Sequence, residues 1–219
     1  MGSEPGGGPL AIIGAGGFGR ETVELVRASV AVGAGYELVG IYDDDPHLHG
    51  MEVLGVPVVG PVAQAADSAD VRLVVTIGSP VDYRARKRIV TALDLPAHRY
   101  ATLIHPTAVV PGSACVGEGS VIHAHCVLTA QVEVGAHVAM MPAVVLTHDD
   151  VVGDFATLGS GAKLAGDVIV GEGVYVGAGA LLREHTTVGE WSLVGMGSVV
   201  THDIPPGQVW AGNPARFIR

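Results

Sequence analysis

A histidine followed by carboxylates is the strongest candidate for catalysis in the sequence. The stretch Thr147-His148-Asp149-Asp150 places an imidazole next to acidic side chains. Histidine accepts a proton near neutral pH, and a carboxylate on its second ring nitrogen fixes the tautomer and raises the basicity of the ring. The pattern favours general-base catalysis by His148 with Asp149 as its partner. A purely structural hydrogen bond is the alternative for any single histidine.

A glycine-rich turn near the N-terminus has the pattern of a phosphate-binding site. Gly14, Gly16 and Gly19 match G-x-G-x-x-G, and Gly17 and Phe18 lie inside the motif. A short apolar strand precedes the turn and a predicted helix follows it, so backbone N–H groups and the helix dipole would meet a phosphate there. A turn with only a structural role is the alternative.

Asp43 and Asp44 follow the next predicted strand and are expected beside this turn. Their carboxylates can accept hydrogen bonds from a base N–H or a ribose hydroxyl. A dinucleotide cofactor needs two mononucleotide-binding halves, and only one fits before Ile104. The sequence therefore predicts a site for one nucleoside diphosphate that belongs to the substrate, with an acidic surface loop as the alternative.

The element that carries His148 is defined by a six-residue repeat. Aliphatic residues or Met occupy seventeen successive positions, six residues apart: Ile104, Val110, Val116, Ile122, Leu128, Val134, Met140, Leu146, Val152, Leu158, Leu164, Val170, Val176, Leu182, Val188, Val194 and Val200. A Val-Gly dipeptide also recurs every eighteen residues, which makes one coil out of three hexapeptides. The pattern predicts an all-β parallel β-helix with three faces.

The eighteen-residue coil stacks side chains along the edges of this prism. His148 stacks on Ala130 in one neighbouring coil and on Gly166 in the other, and these small residues leave room beside the imidazole. The Gly166 N–H is placed to stabilise an oxyanion near that ring. Asp150 interrupts the pattern, because small residues prevail at its position elsewhere, and such interruptions mark functional sites.

Before the repeat, short apolar strands alternate with helices. The sequence predicts strands over 10–13, 38–42 and 73–77, with helices over 20–27 and 84–93. This alternation is typical of a small α/β, Rossmann-like domain with a parallel sheet. The chain then divides into a flexible tail at 1–9, a nucleotide-binding domain at 10–100, and a β-helix domain with a C-terminal extension at 101–219.

Charge and composition limit the partners. Twelve Lys and Arg stand against 22 Asp and Glu, and the net charge of −10 argues against a nucleic-acid partner. The basic cluster at Arg84, Arg86, Lys87 and Arg88 is expected to be one solvated helix face.

Metal ions and membranes are not expected either. Cys115 and Cys126 have neither a disulfide framework nor zinc-ligand spacing, and His105, His123 and His125 would make at best a fortuitous metal site. No apolar run approaches the roughly 18 residues that cross a bilayer. No secretory leader is evident, so we expect a cytoplasmic protein with reduced thiols.

The chain from residue 10 onward resembles bacterial sugar acyltransferases of the sialic-acid O-acetyltransferase type. That group includes N-acetyltransferases of nucleotide-linked 4-amino-4,6-dideoxy sugars. The matching segments follow one another along the chain: 13–21, 40–45, 77–78 with Arg84, 103–108, 146–149, 164–167, 201–206 and 212–216. The resemblance implies a left-handed β-helix and acetyl-CoA-dependent transfer to the amino group of a nucleotide-linked amino sugar.

The resemblance also implies roles for individual residues. His148 would be the general base and Asp149 its partner, and the turn at 17–19 with Asp43 and Asp44 would hold the nucleotide. Acetyl-CoA would lie between adjacent prisms of a homotrimer. The positions that would line its pantetheine arm and the acceptor are Thr157, Gly166, Ala178 and Met196.

The sequence departs from the family pattern at two positions. Many relatives have a second histidine where this chain has Thr157, and many have a histidine where it has Phe18. The first departure concerns contacts with the cofactor and the second concerns the nucleotide or sugar. Two alternatives to N-acetylation remain: O-acetylation of sialic acid or a related sugar, and a catalytically silent β-helix that binds a nucleotide sugar as a scaffold.

Overall fold

The computed structural model describes residues 7–219, and most of the predicted tail lies outside this range. The first strand already begins at Gly8, two residues before the predicted domain boundary. Five strands form the N-terminal sheet: β1 (Gly8–Ile13), β2 (Tyr36–Tyr42), β3 (Glu52–Val53), β4 (Val56–Gly60) and β5 (Arg72–Val75). Their order is β3-β4-β2-β1-β5, and all neighbours are parallel except β3 and β4.

Two α-helices and two short 3-10 helices connect these strands. They are α1 (Gly17–Ala31), α2 (Ala85–Leu93), and the 3-10 segments Val62–Asp67 and Ala97–Arg99. Helix α1 begins inside the glycine motif, three residues before the predicted start, with Gly16 at its N-cap, a position that accepts glycine. It buries Val23 and Val26 against the sheet core around Ile12. The domain therefore has the predicted small α/β architecture.

The rest of the chain is a left-handed parallel β-helix with three flat faces. The first face contains β7 (Cys115–Val116), β10 (Glu133–Val134), β13 (Val151–Val152), β16 (Ile169–Val170) and β19 (Thr187–Val188). The second face contains β6 (Leu103–Ile104), β8 (Val121–Ile122), β11 (Ala139–Met140), β14 (Thr157–Leu158), β17 (Tyr175–Val176), β20 (Leu193–Val194), β22 (Val209–Ala211) and the antiparallel β23 (Arg216–Phe217). The third face contains β9 (Val127–Leu128), β12 (Val145–Leu146), β15 (Lys163–Leu164), β18 (Leu181–Leu182) and β21 (Val199–Val200).

The hexapeptide repeat sets both the strands and the core of the prism. Every repeat position except Val110 is the second residue of a two-residue strand. From Ile122 to Val200 these side chains are at most 4% exposed, so they fill the interior. Ser120, Ala156 and Ala162, two positions before the repeat residue, are also fully buried, which explains why that position favours small side chains. The predicted β-helix is confirmed.

The N-terminal domain packs on the second face and on the two edges that border it. Phe18 contacts His123 on one edge, and Tyr83 donates a hydrogen bond to the Trp191 carbonyl on the other. The remaining edge, between the third and first faces, is formed by the turns 129–132, 147–150, 165–168 and 183–186. We call it the His148 edge. Within one protomer it lies on the side of the prism away from the N-terminal domain.

Candidate active site

His148 and Asp149 form a hydrogen-bonded pair on the exposed His148 edge. The distance from His148 Nδ1 to Asp149 Oδ2 is 2.9 Å. Asp149 has a φ of +62°, a left-handed turn conformation that Asp tolerates better than most residues. The turn is fixed from both neighbouring coils, because the Asp149 N–H donates to the Ala130 carbonyl and the Asp167 N–H donates to the His148 carbonyl.

The imidazole of His148 packs on Gly166 in the next coil. A Cβ atom at position 166 would overlap the ring, so only glycine accommodates this arrangement. The room that the sequence predicts beside the ring is therefore occupied by the ring itself. With Nδ1 turned to the carboxylate, Nε2 is left for a substrate. The Gly166 N–H donates no hydrogen bond within residues 7–219, and Gly166 itself is buried under the imidazole.

The glycine turn is shaped by close backbone contacts and is open on its outer side. Gly14 has a φ of +105°, and a Cβ on Gly19 would collide with the Gly14 carbonyl oxygen. Gly16 and Gly17 are exposed, and added Cβ atoms there would meet nothing within 4 Å. These features leave the first N–H groups of α1 accessible, which is the geometry of an anion site.

Asp43 lies beside this turn and braces it, whereas Asp44 is bonded to the start of a 3-10 helix. Asp43 Oδ2 accepts the Ala15 N–H at 2.7 Å, and its Oδ1 accepts the Asp45 N–H at 2.9 Å. Asp44 Oδ1 accepts the Val62 N–H at 2.9 Å. Each carboxylate therefore already fixes a main-chain segment, and further hydrogen bonds to a nucleotide would use its remaining lone pairs.

Phe18 closes the contact between the glycine turn and the prism. Its ring centroid lies 5.7 Å from that of His123, which is buried. Burial, and to a lesser extent the nearby His105, lower the pKa of His123 to about 4. His123 is therefore neutral in this junction near pH 7. Within the described residues, no group of three or more His, Cys, Asp or Glu side chains is placed to hold a metal ion.

Arg86 is a buried residue at the junction of the two domains that the sequence did not reveal. It was expected on a solvated helix face, but its side chain is only 2% exposed and reaches into the prism. Nη1 donates to the Ile77 carbonyl, and Nη2 donates to the Phe155 and Ala156 carbonyls and to Thr157 Oγ1, over 2.8–3.0 Å. Burial lowers the pKa of Arg86 to about 10. The spacing of basic residues on α2 gives no signal of this burial.

Ala178 and Met196 line one groove on the second face. The groove has a volume of about 540 Å³, and its other walls include Tyr175, Leu193 and Pro80 from the N-terminal domain. Thr157, also predicted to touch the cofactor, does not line this groove. Its side chain is buried and its hydroxyl accepts the hydrogen bond from Arg86.

The predicted site residues thus fall into two groups within one protomer. The glycine turn, Asp43 and the groove at Ala178 lie on or near the second face, and His148, Asp149 and Gly166 lie on the opposite edge. A prism of this kind with a histidine–aspartate pair on one edge and a small α/β domain on the opposite face is the architecture of a hexapeptide-repeat transferase.

Comparison with protein families agrees with both domains. Residues 9–93 match the PglD N-terminal domain, and residues 151–184 match the bacterial transferase hexapeptide (six repeats). UDP-N-acetylbacillosamine N-acetyltransferase from Bacillus subtilis (strain 168) is 35% identical over 117 residues. That match covers 52% of this chain and spans about half (51%) of the relative.

Two solved structures match almost the whole chain. A variant of GDP-perosamine N-acetyltransferase from Caulobacter crescentus, in complex with CoA and GDP-perosamine, is 32% identical, with a TM-score of 0.84 and coverage of 97% of each chain. The acetyltransferase domain of PglB from Neisseria gonorrhoeae, in complex with acetyl coenzyme A, is 34% identical with a TM-score of 0.84. That match covers 97% of this chain and 100% of the domain. The chain belongs to the family of bacterial hexapeptide-repeat sugar acyltransferases with a PglD-type N-terminal domain.

Among residues 7–219, no helix combines the length and the apolar character that a membrane crossing requires.

Proposed function

We propose that the protein transfers an acetyl group from acetyl-CoA to the amino group of a nucleotide-linked amino sugar. The observation that carries this proposal is the His148–Asp149 pair held against Gly166, because it engages Nδ1 with a carboxylate and leaves Nε2 of an exposed imidazole without a partner. The matched structures with CoA, acetyl-CoA and GDP-perosamine support the identity of the two substrates.

The reaction follows from what these groups can do. The sugar amine attacks the thioester carbonyl carbon while Nε2 of His148 takes the amine proton. A C–N bond forms, the C–S bond breaks, and the proton passes on to the sulfur of the departing CoA. Asp149 holds the Nδ1–H tautomer and stabilises the imidazolium, and the Gly166 N–H stabilises the oxyanion. No covalent protein intermediate and no metal ion take part in this scheme.

The glycine turn is proposed to hold the diphosphate of the sugar nucleotide. The exposed start of α1 at Gly17 presents unpaired N–H groups, and the helix dipole favours negative charge there. Asp43 supports the turn, and Asp43 and Asp44 contact the nucleoside. The groove at Ala178 and Met196 has an apolar lining that suits the pantetheine arm of acetyl-CoA.

A homotrimer would join the two halves of the site. The base lies on the edge opposite the glycine turn, so one protomer cannot bring them together. Three parallel prisms around a threefold axis would set the His148 edge of one protomer against the groove of its neighbour. Exposed apolar side chains on the outer surfaces of the first and third faces, Ile169 and Leu181 among them, support such packing. We place the protein in the cytoplasm, in keeping with its two free cysteines.

The activity is tested by thiol release from acetyl-CoA with a panel of nucleotide-linked 4-amino and 3-amino sugars. Sialic acid serves as the oxygen acceptor, and mass spectrometry follows the products. We expect one amino-sugar nucleotide to gain the mass of one acetyl group. Acetylation of sialic acid alone would overturn the proposal in favour of O-acetylation, and no turnover with nucleotide binding intact would favour the silent scaffold.

The base is tested by His148→Ala, with His185→Ala as the matched control. His185 lies on the same edge and is likewise paired with a carboxylate, its Nδ1 being 3.0 Å from Asp167 Oδ2. We expect His148→Ala to lower kcat by a factor of about 10² or more, the usual contribution of a positioned base, and His185→Ala to leave kcat within about twofold. A His148→Ala variant that keeps a tenth of the rate would rule out this base.

The shared site is tested by mixing subunits. Gly17→Asp, which is designed to weaken the nucleotide site, and His148→Ala are co-expressed and purified as mixed trimers. Activity is assayed at a sugar-nucleotide concentration far below KM, where Gly17→Asp alone should keep about a tenth of the wild-type rate. Sites between subunits restore about a quarter of the wild-type activity in a random mixture, since each interface draws its two halves independently. Sites within one subunit restore nothing beyond the Gly17→Asp background, and a monomer in light scattering would also refute the trimer.

A further inference from the structure

Asp150 is a buried carboxylate in the core of the prism, next to the proposed base. It is 0% exposed and points inward at a position where the neighbouring coils carry Val132, Val168 and Thr186. A charged group at such a position is costly unless its oxygens are hydrogen-bonded. The proposed mechanism gives Asp150 no role, so its presence calls for an explanation.

Both oxygens of Asp150 bind main-chain N–H groups on either side of the catalytic turn. Oδ2 accepts the Thr147 N–H at 2.8 Å, directly before His148. Oδ1 accepts the Val168 N–H at 2.9 Å, two residues after Gly166. One side chain thus connects the segment that carries the imidazole to the segment on which the imidazole lies.

The carboxylate replaces a bond of the regular β-helix. On the same edge, the N–H groups of Thr129, Ala165 and Arg183 each donate to the carbonyl of the repeat residue in the next coil. Thr147 occupies the equivalent position but gives its N–H to Asp150, and its hydroxyl instead donates to the Leu164 carbonyl at 3.1 Å. The ladder is therefore rewired at the residue before His148.

We infer that Asp150 is a positioning residue that sets the height and orientation of His148 against Gly166. This inference rests on the proposed function of His148 as the base. Rewiring lets the Thr147–Asp150 turn adopt a position that the regular ladder would not give it, and the bond to Val168 fixes that position relative to Gly166. On another edge Ser120 accepts the Val138 N–H in the same way, but among the described residues only Asp150 also accepts the N–H three residues before it.

The charge of Asp150 also acts on the imidazole. Burial raises the pKa of Asp150 to about 6, while its two backbone hydrogen bonds and the nearby His148 act in the opposite direction. The titratable groups that face it are His148 and Asp149 on its own turn and Asp167, itself paired with His185, on the next coil. A carboxylate this close stabilises the positive charge that the imidazole acquires when it takes a proton.

The test compares Asp150→Val with Thr186→Val, which changes a polar residue in the same file of core side chains two coils away. Valine fits because Val132 and Val168 occupy the adjacent positions, and the Thr147 N–H can return to the Leu164 carbonyl. For Asp150→Val we expect kcat to fall about tenfold, both KM values to stay within about twofold, and the acid limb of the kcat/KM profile to move to lower pH. Thr186→Val should change none of these.

Asp150→Asn separates the charge from the volume. The amide presents one oxygen and one NH₂ to two N–H donors, so one bond is lost while the size is kept. We expect the same pH shift as with valine, because both substitutions remove the charge. Unchanged kcat and pH profile in both variants would refute the inference, and so would equal losses in Asp150→Val and Thr186→Val, which indicate a general packing effect.

A measurement that does not depend on turnover tests the role of Asp150 even if the proposed activity is wrong. The His148 ring is followed by NMR during a pH titration, with His148→Ala used for assignment. In Asp150→Val the ring should titrate at lower pH than in the wild type, whatever the acceptor proves to be. An unaltered titration would refute the electrostatic part, and wild-type protein without transferase activity would refute the proposed function alone.

Discussion

Arg86 and Thr157 join the two domains through a hydrogen bond of 2.9 Å between Nη2 and Oγ1. Three main-chain carbonyls also accept hydrogen bonds from the guanidinium, whose buried Nε has no partner among the described residues, and no carboxylate of this part of the chain forms an ion pair with it. The domain that carries the glycine turn is thus fixed to the prism through a buried cation that binds neutral acceptors. Loss of this cation should affect stability before it affects chemistry.

Arg86→Leu is expected to lower the free energy of unfolding by about 3 kcal/mol, because several buried acceptors lose their donor. Chemical denaturation measures the change. The control is Arg88→Leu on the same helix, where the exposed pair with Asp82 contributes at most about 1 kcal/mol. Equal losses in the two variants would show that Arg86 has no special role at the junction.

Gly166→Ala should displace the imidazole of His148, because the new methyl group occupies the space of the ring. We expect kcat to fall at least about tenfold while the protein stays folded, since an exposed ring can rotate away. Steady-state kinetics and thermal melting check both parts. Gly112→Ala is the matched control in the same domain, because its added Cβ would meet nothing within 4 Å.

Gly17→Asp should weaken binding of the sugar nucleotide without destabilising the protein. A carboxylate in the first turn of α1 interacts favourably with the helix dipole but repels a diphosphate at the same N–H groups. We expect KM for the sugar nucleotide to rise about tenfold and KM for acetyl-CoA to stay unchanged. Gly17→Ala, which adds only a methyl group in open space, should behave as the wild type. A Gly17→Asp variant with normal KM would exclude the turn as the diphosphate site.

His137→Phe should reduce the sensitivity of the protein to acid. His137 is stacked on Phe155 at 5.1 Å and meets Tyr100 edge-on at 4.7 Å. Burial, followed by the charge of Arg86, lowers its pKa to about 4. The unfolded chain therefore binds a proton that the folded protein does not, and stability is lost as pH falls from about 6.5 to about 4.

Phenylalanine keeps the stacking and removes this proton. Relative to His137→Phe, the wild type should lose roughly 3 kcal/mol between pH 7 and pH 4. Denaturant unfolding at a series of pH values measures the difference. Parallel curves for the two proteins over that range would mean that His137 is not held neutral in the fold.

The architecture could be predicted from the sequence because each position in the repeat is determined by its spacing along the chain. A residue such as Leu146 lies in the core for a reason visible within six residues of chain, and His148 stacks on Gly166 because they are eighteen residues apart. The glycine motif likewise predicts its turn from a short stretch of sequence, since Gly14 and Gly19 are within five residues of each other. These parts of the site are local consequences of local patterns.

The junction between the domains could not be read in this way. Arg86 and Thr157 are 71 residues apart, and no periodicity connects them. The bonds of Asp150 were equally hidden, although its departure from the repeat was visible. Periodicity in the sequence shows which residue departs from the repeat. The groups that bond this residue are determined by tertiary packing and cannot be predicted from the repeat.

The two-residue strands of the prism pair with the coil before and the coil after. Contacts of this kind make the stack modular, so coils can be gained or lost at its end while the neighbours of His148 stay the same. Only whole coils can be inserted or deleted. The loss of one residue would shift every later residue to a different place on the faces and edges of the prism. Evolution of such a chain is thereby restricted to length changes in units of eighteen residues, apart from loops that bulge outward at the edges. Insertion or deletion of whole coils therefore leaves His148 on the same edge of the prism.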